Sequence, residues 1–188
     1  GVLGISDDVW CRCGSTGDAG MKSGLTIRED NYSSVLDALK QLSGTDVLVG
    51  IPAGPPRDDA PLSNAELGYL QSTGATVEID GETVTLPPRP FLDMGIEDSR
   101  DKTTERLKLA AQSALEGKAD VASMHLEAAG QIARDASKAV IEAGDRLTPL
   151  SEKTIKKRRE MKPPIPGDKP LRARGFLFRA IQYVVRKK

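Results

Sequence analysis

The chain has 188 residues, 38% of them hydrophobic and only 4% aromatic, with 27 basic and 27 acidic side chains. That length suits one domain, or one domain with an arm, around a moderate core, and no apolar run is long enough to cross a membrane. The zero net charge hides a split: Lys153 to Lys188 holds 13 basic and 2 acidic residues, leaving 14 basic and 25 acidic in the rest.

Residues 1–30 predict no fold of their own and read as an arm or upstream extension, with the domain proper at 31–188. They carry Cys11, Cys13 and Trp10, and Met21-Lys22 looks like a translation start. Gly1 to Gly20 lacks the basic start and apolar stretch of a signal peptide. Two cysteines cannot make a four-ligand zinc site. A disulfide between residues so close would be strained, so both read as free thiols of a reducing compartment.

Tyr32 to Leu42 places Val35, Leu36, Leu39 and Leu42 at helical spacing, with Gly44 as its stop. Asp46 to Ile51 is a short β-branched run closed by Pro52, a strand. Ala53 to Pro61 is a Pro/Gly/Asp loop, and Pro61 to Gln71 a short helix. Thr76 to Ile79 and Thr83 to Leu86 flank Asp80-Gly81, a two-residue hairpin signal. Pro87, Pro88 and Pro90 stiffen an extended connector. From about Ile96 to Ala143 the pattern is helical. Leu107, Ala111, Ala114 and Leu115 form one stripe. Gly117 marks a break, and Asp120 is a candidate cap for the next helix. There Val121, His125, Ala128, Ile132, Ala136, Val140 and Ala143 form the expected buried stripe, and Gly144 ends it. Ser151 caps a short helix at Glu152 to Glu160, a Pro-rich loop covers Met161 to Pro170, and a tight turn feeds a last strand with Ile181, Tyr183 and Val185 alternating. The order predicts an α+β fold: a small, mainly antiparallel sheet packed with long helices.

Chemistry-bearing constellations are scarce. The single histidine, His125, falls on a helix stripe and reads as a core or boundary residue. No G-x-S-x-G elbow supports a hydrolase, and no histidine or cysteine group has metal-ligand spacing. Asp58-Asp59 reads as exposed loop acid; Asp98 and Asp101 read as first-turn residues favoured by a helix dipole. The expectation is a protein with no catalytic, cofactor or metal residues. The basic run from Lys153 to Arg159 presents a cationic face. The charge split suits either nucleic-acid binding through the basic end or packing of that end on an acidic neighbour in a homo-oligomer. The scarcity of aromatics for stacking bases favours the second. In Pro88-Arg89-Pro90-Phe91 the prolines hold an arginine and an aromatic rigidly, as interface anchors are held; the alternative is a stiff connector with Phe91 in the core.

Several short runs occur in a fixed order: Val49-Gly50-Ile51, Asn64-Ala65-Glu66, Gly74 before the hairpin, Leu86 to Phe91, Pro149-Leu150 with Thr154, and Lys169-Pro170-Leu171 leading to Gly175, Leu177, Ala180-Ile181, Tyr183 and Val185. In this order they resemble the tail-completion and neck (head–tail joining) proteins of tailed phages and the related virion-morphogenesis proteins, over about Asp46 to Arg186. Two positions depart from that pattern: Arg174 stands where the family has threonine, and Ala180 where it has serine.

The resemblance implies a non-enzymatic virion component, made in the bacterial host cytoplasm and located at the head–tail interface. It implies a ring of identical copies, a hexamer or dodecamer, meeting portal or adaptor proteins on one side and tail-terminator or tail-tube proteins on the other. DNA would be touched only in the channel, and no cofactor or membrane is involved. A tail terminator capping the tube is the neighbouring role. The residues expected at the interface are Arg89, Pro90 and Phe91, with Gly175, Leu177, Ile181 and Tyr183 at the closing turn and strand. The loops Ala53 to Pro61 and Met161 to Pro170 would face partners or order on assembly.

Overall fold

The computed structural model describes residues 32–79 and 81–188. The arm at 1–30 with Trp10, Cys11, Cys13 and Met21, and Asp80 of the hairpin, lie outside the described residues. The domain from 31 onward forms one unit. Its element order is α1 (Tyr32–Ser43), β1 (Thr45–Gly50), α2 (Asn64–Thr73), β2 (Ala75–Ile79), β3 (Glu82–Leu86), α3 (Phe91–Asp98), α4 (Arg100–Leu115), α5 (Ala119–Ala143), α6 (Glu152–Glu160), α7 (Phe176–Ala180) and β4 (Gln182–Lys187). The α+β expectation holds. The strands form two separate antiparallel pairs, β1–β4 and the β2–β3 hairpin.

Most element ends follow from local chemistry. Ser63 caps α2 in a full capping box: its hydroxyl accepts the Glu66 N–H at 3.2 Å, and its own N–H donates to the Glu66 carboxylate at 2.8 Å. Gly117 (φ 74°) separates α4 from α5, and Gly144 (φ 69°) closes α5 by donating to the Val140 carbonyl. Ser151 caps α6, as its position predicts. Lys118, not Asp120, stands at the cap position of α5, leaving Asp120 in the first turn to interact with the helix dipole. Asp98 ends α3, and its carboxylate pairs with Arg146.

Helix α5 is the spine. Its inward face is Ala122, Leu126, Ala129, Gly130, Ala133, Ser137, Val140 and Ile141. The expected stripe is therefore turned by about one residue; of its members only Val140 is fully buried, and Val121 is exposed. The α4 stripe shifts likewise, to Ala110, Ser113 and Ala114, while Leu107 and Leu115 face outward. Two cores lie along the spine. Ala38, Ala110, Ala114, Ala122 and Leu126 join α1, α4 and α5. Phe91, Val140, Ile141, Leu147, Leu177 and Ile181 join α3, α5 and α7. The β1–β4 ribbon lies across both: Val47 and Val185 pack on the first core and Val49 on the second.

Candidate interaction site

The connector between β3 and α3 is tied into the body by Arg89. The Arg89 backbone N–H donates to the Gln71 carbonyl at 2.8 Å, joining it to the end of α2. Its Nε donates to the Thr148 carbonyl at 2.7 Å, Nη2 to the Pro149 carbonyl at 3.1 Å, and Nη1 to Gln71 Oε1 at 3.2 Å. Arg89 is 4% exposed. The proline segment and the Thr148-Pro149-Leu150 segment thus meet through one guanidinium. Gly74 supports the same joint. With φ at 74°, a Cβ there would sit 2.8 Å from the Leu86 carbonyl and 3.0 Å from the Pro88 nitrogen.

This geometry corrects the expected interface set. Phe91 and Ile181 are fully buried and Leu177 nearly so, all in one core; they hold α3, α7 and β4 onto α5 and are not surface anchors. Pro90 precedes α3 and accepts the Met94 N–H. Gly175 does take the left-handed conformation that its turn requires, with φ 74°. It opens a single helical turn, α7, where a direct turn into the strand is the sequence expectation. Tyr183 keeps part of its surface. Its ring lies against Gly130 and under the Arg134 guanidinium, 5.3 Å from the ring centre, and its hydroxyl accepts from Gln131 at 3.3 Å. The Met161 to Pro170 loop is anchored as well: Ile165 and Pro170 are buried, and the Ile165 N–H donates to the Arg158 carbonyl.

Arg158 is the functional candidate that the sequence does not single out. It belongs to the basic run, but its side chain turns inward. Nη1 donates to the Lys169 carbonyl at 3.0 Å. Arg158, Arg89 and Arg57 all line a cavity of about 510 Å³, with Leu86, Leu150 and Leu177 among its apolar walls. Burial, with the nearby Arg158 charge adding to it, pushes the Arg89 guanidinium below its usual range. Burial does the same to Arg158. Arg57 is paired, its Nε donating to Asp59 at 2.7 Å, and its guanidinium stacks 4.6 Å from the Phe176 ring centre. The other face of α6 exposes Lys156, Lys157 and Arg159, and Lys153 reaches Glu82 of the hairpin at 2.7 Å.

A second surface is the ribbon. Lys188 N–H donates to the Gly44 carbonyl. Antiparallel alternation then makes 46↔186, 48↔184 and 50↔182 the mutually bonded pairs. The N–H and C=O groups of Val47 and Val49 on β1, and of Tyr183 and Val185 on β4, therefore point away from the ribbon. Among the described residues they have no backbone partner. On the face away from α5, Leu48 and Val184 are register partners and stay 39% and 49% exposed.

His125 sits half-buried at the α4–α5 boundary, Nδ1 3.4 Å from Arg106 Nη1. Among the described residues no three His, Cys, Asp or Glu side chains are grouped to hold a metal ion, and no helix is long and apolar enough to cross a membrane. No family model matches this chain, and no curated protein or solved structure shows significant similarity to it.

Proposed function

We propose that this chain is a structural subunit of a tailed-phage virion, of the tail-completion or neck type, which joins head to tail by assembling into a ring. The observation that carries this reading is the β1–β4 ribbon, with two edges that no described residue pairs and an outward Leu48–Val184 pair. Exposed edges of this kind are templates for pairing with another chain, and pairing around a rotation axis closes a ring. The ordered sequence runs support the same reading, because they build the frame that carries the ribbon. The basic α6 and the acid-rich remainder supply opposite patches for neighbouring copies.

The test has two parts. Light scattering on the purified protein should give a discrete oligomer, and Val184→Lys should reduce it to a monomer without lowering thermal stability. Phage lacking the protein should yield filled heads and separate tails by electron microscopy. A wild-type monomer that stays monomeric with its head and tail partners present, or normal joined particles without the protein, would refute the proposal.

One observation favours a second reading, DNA binding through α6. Lys156, Lys157 and Arg159 are exposed and, among the described residues, have no ion-pair partner. That reading requires duplex binding which weakens steeply with salt, and replacing the three cations with glutamine should abolish it.

A further inference from the structure

The Arg89–Arg158 cavity holds positive charge that no carboxylate among the described residues compensates. Arg89 is 4% exposed, and its partners are two carbonyls and an amide. A guanidinium has five N–H donors; Arg89 uses three in the bonds above, leaving two. Among the described residues the Arg158 side chain makes one bond, to the Lys169 carbonyl. Among the described residues no aspartate or glutamate lines the cavity. Buried charges ordinarily come paired, because an unpaired one is costly to desolvate. Nearby, Arg57 already has its carboxylate in Asp59.

We propose that this cavity is a binding site for a carboxylate on an aliphatic stem, supplied by an acidic side chain in an apolar segment of a partner protein. Two guanidiniums with spare donors match the two oxygens of a carboxylate, for which forked, charge-assisted bonds are the strong ones. The remaining walls are mainly aliphatic, including Leu67, Val84, Leu86 and Leu150. They suit the methylenes of glutamate and a flanking leucine better than a strongly hydrated phosphate. The polar part of the lining beside the arginines is uncharged: Gln71, Thr85, Thr148, and Ser151 and Thr154 at the start of α6. The site stands independently of any place in a virion.

The test uses the full chain, labelled with nitrogen-15, and three probes: acetyl-Leu-Glu-Leu-amide, its glutamine counterpart, and inorganic phosphate. The glutamate peptide should shift the Arg89 Nε–H and the Leu150 and Thr154 amides saturably, while the glutamine peptide should not. Arg158→Gln should weaken binding by about tenfold, the scale of one charge-assisted bond, with the amide spectrum of the folded chain retained. If that variant loses its fold, Arg158→Lys replaces it: it keeps the charge, loses the fork, and should still weaken binding. No saturable shift at millimolar glutamate peptide would overturn the proposal. So would equal binding of the two peptides, tighter binding of phosphate, or indifference to the Arg158 change.

Discussion

Gly95→Ala should cost the protein about 3 kcal/mol, although alanine is the better helix former by about 1 kcal/mol. Gly95 lies in α3 where that helix crosses α5. A Cβ there would sit 2.4 Å from the Ser137 Cα, 2.4 Å from its Oγ and 2.5 Å from its nitrogen. Relaxed carbon contacts lie near 3.5–4.0 Å, so α3 must retreat by about 1 Å. No rotamer change relieves the clash, since two of the three atoms are backbone. Overpacking of this kind costs about 1–3 kcal/mol. The retreat also opens a gap beside Phe91, which fills the core against Val140 and Ile141. A gap of about 1 Å forfeits roughly a quarter to a half of each contact energy, or about 1–2 kcal/mol for a buried phenylalanine. Subtracting the propensity gain leaves about 3 kcal/mol, or about 6–12 °C in Tm for a domain of this size. Thermal unfolding followed by circular dichroism reads it. Gly54→Ala is the control, because nothing lies within 4 Å of its new methyl. A Gly95→Ala midpoint within about 1 °C of wild type would refute the close-crossing argument. Full rescue by adding Ser137→Ala would show that the hydroxyl, not the helix backbone, sets the limit.

Three further outcomes follow from the same geometry. Arg89→Lys should lower stability by about 2–4 kcal/mol, since lysine cannot span Thr148, Pro149 and Gln71 at once; a urea midpoint equal to wild type would count against the clamp. Gly175→Val should be destabilised by roughly 1–3 kcal/mol, because φ is 74° there and β-branched residues rarely enter that region, and Gly175→Asn should recover part of the loss. The Glu66 carboxyl is held below its usual value by the Ser63 backbone N–H and then by the Ser63 hydroxyl. Its folded pKa is thus below the ordinary 4.5, and between the two the unfolded chain binds more protons. Its stabilisation is complete above the unfolded value and is lost as pH falls through the folded one. The Tm gap between wild type and Glu66→Gln should therefore narrow from about pH 6 to about pH 3, and a gap independent of pH would exclude the carboxylate as its cause.

Elements with strong local signals were legible: the hairpin, the ends of α1, the glycine stop of α5, and the Ser151 cap. The face of α5 was not, and the reason is physical. The expected stripe, Val121, His125, Ala128, Ile132, Ala136, Val140 and Ala143, mixed small and large side chains, so its spacing left the rotation of the helix open by a residue. What lies inside is the adjacent row, which holds Gly130 and Ser137 where neighbours approach α5 closely. Gly130 takes the Tyr183 ring, whose nearest carbon would be 2.4 Å from a Cβ there, and Ser137 takes Gly95. Closeness of approach, set by tertiary partners, decided the face. Helix α7 was missed because five residues after a left-handed glycine carry no periodicity to read. Arg158 was missed because its direction depends on the loop carbonyl of Lys169, eleven residues away.

The same distinction bears on what the ordered runs can say about function. Gly74 makes room for the Leu86–Pro88 backbone, and Gly68 lies under Ile51 and Leu177. Arg89 joins the proline segment to Thr148 and Pro149, and Phe91, Leu177 and Ile181 share a core. Residues far apart in sequence are thus joints of one frame. Their order specifies how α2, the connector, α7 and β4 lock together, and a partner could reach few of them. If the chain assembles as proposed, recognition would rest on what the frame leaves outside: the ribbon edges, Leu48 with Val184, the cations of α6, and the cavity that Arg158 lines. This separates two classes of variant. Changes at the frame should lower stability and oligomer formation together. Changes at Leu48, Val184 or Lys156 should alter association while Tm stays fixed. If Val184→Lys and Phe91→Ala instead lost stability to the same extent, the ribbon's outer face would be part of the frame, and the surface assigned here to partners would have to be sought elsewhere.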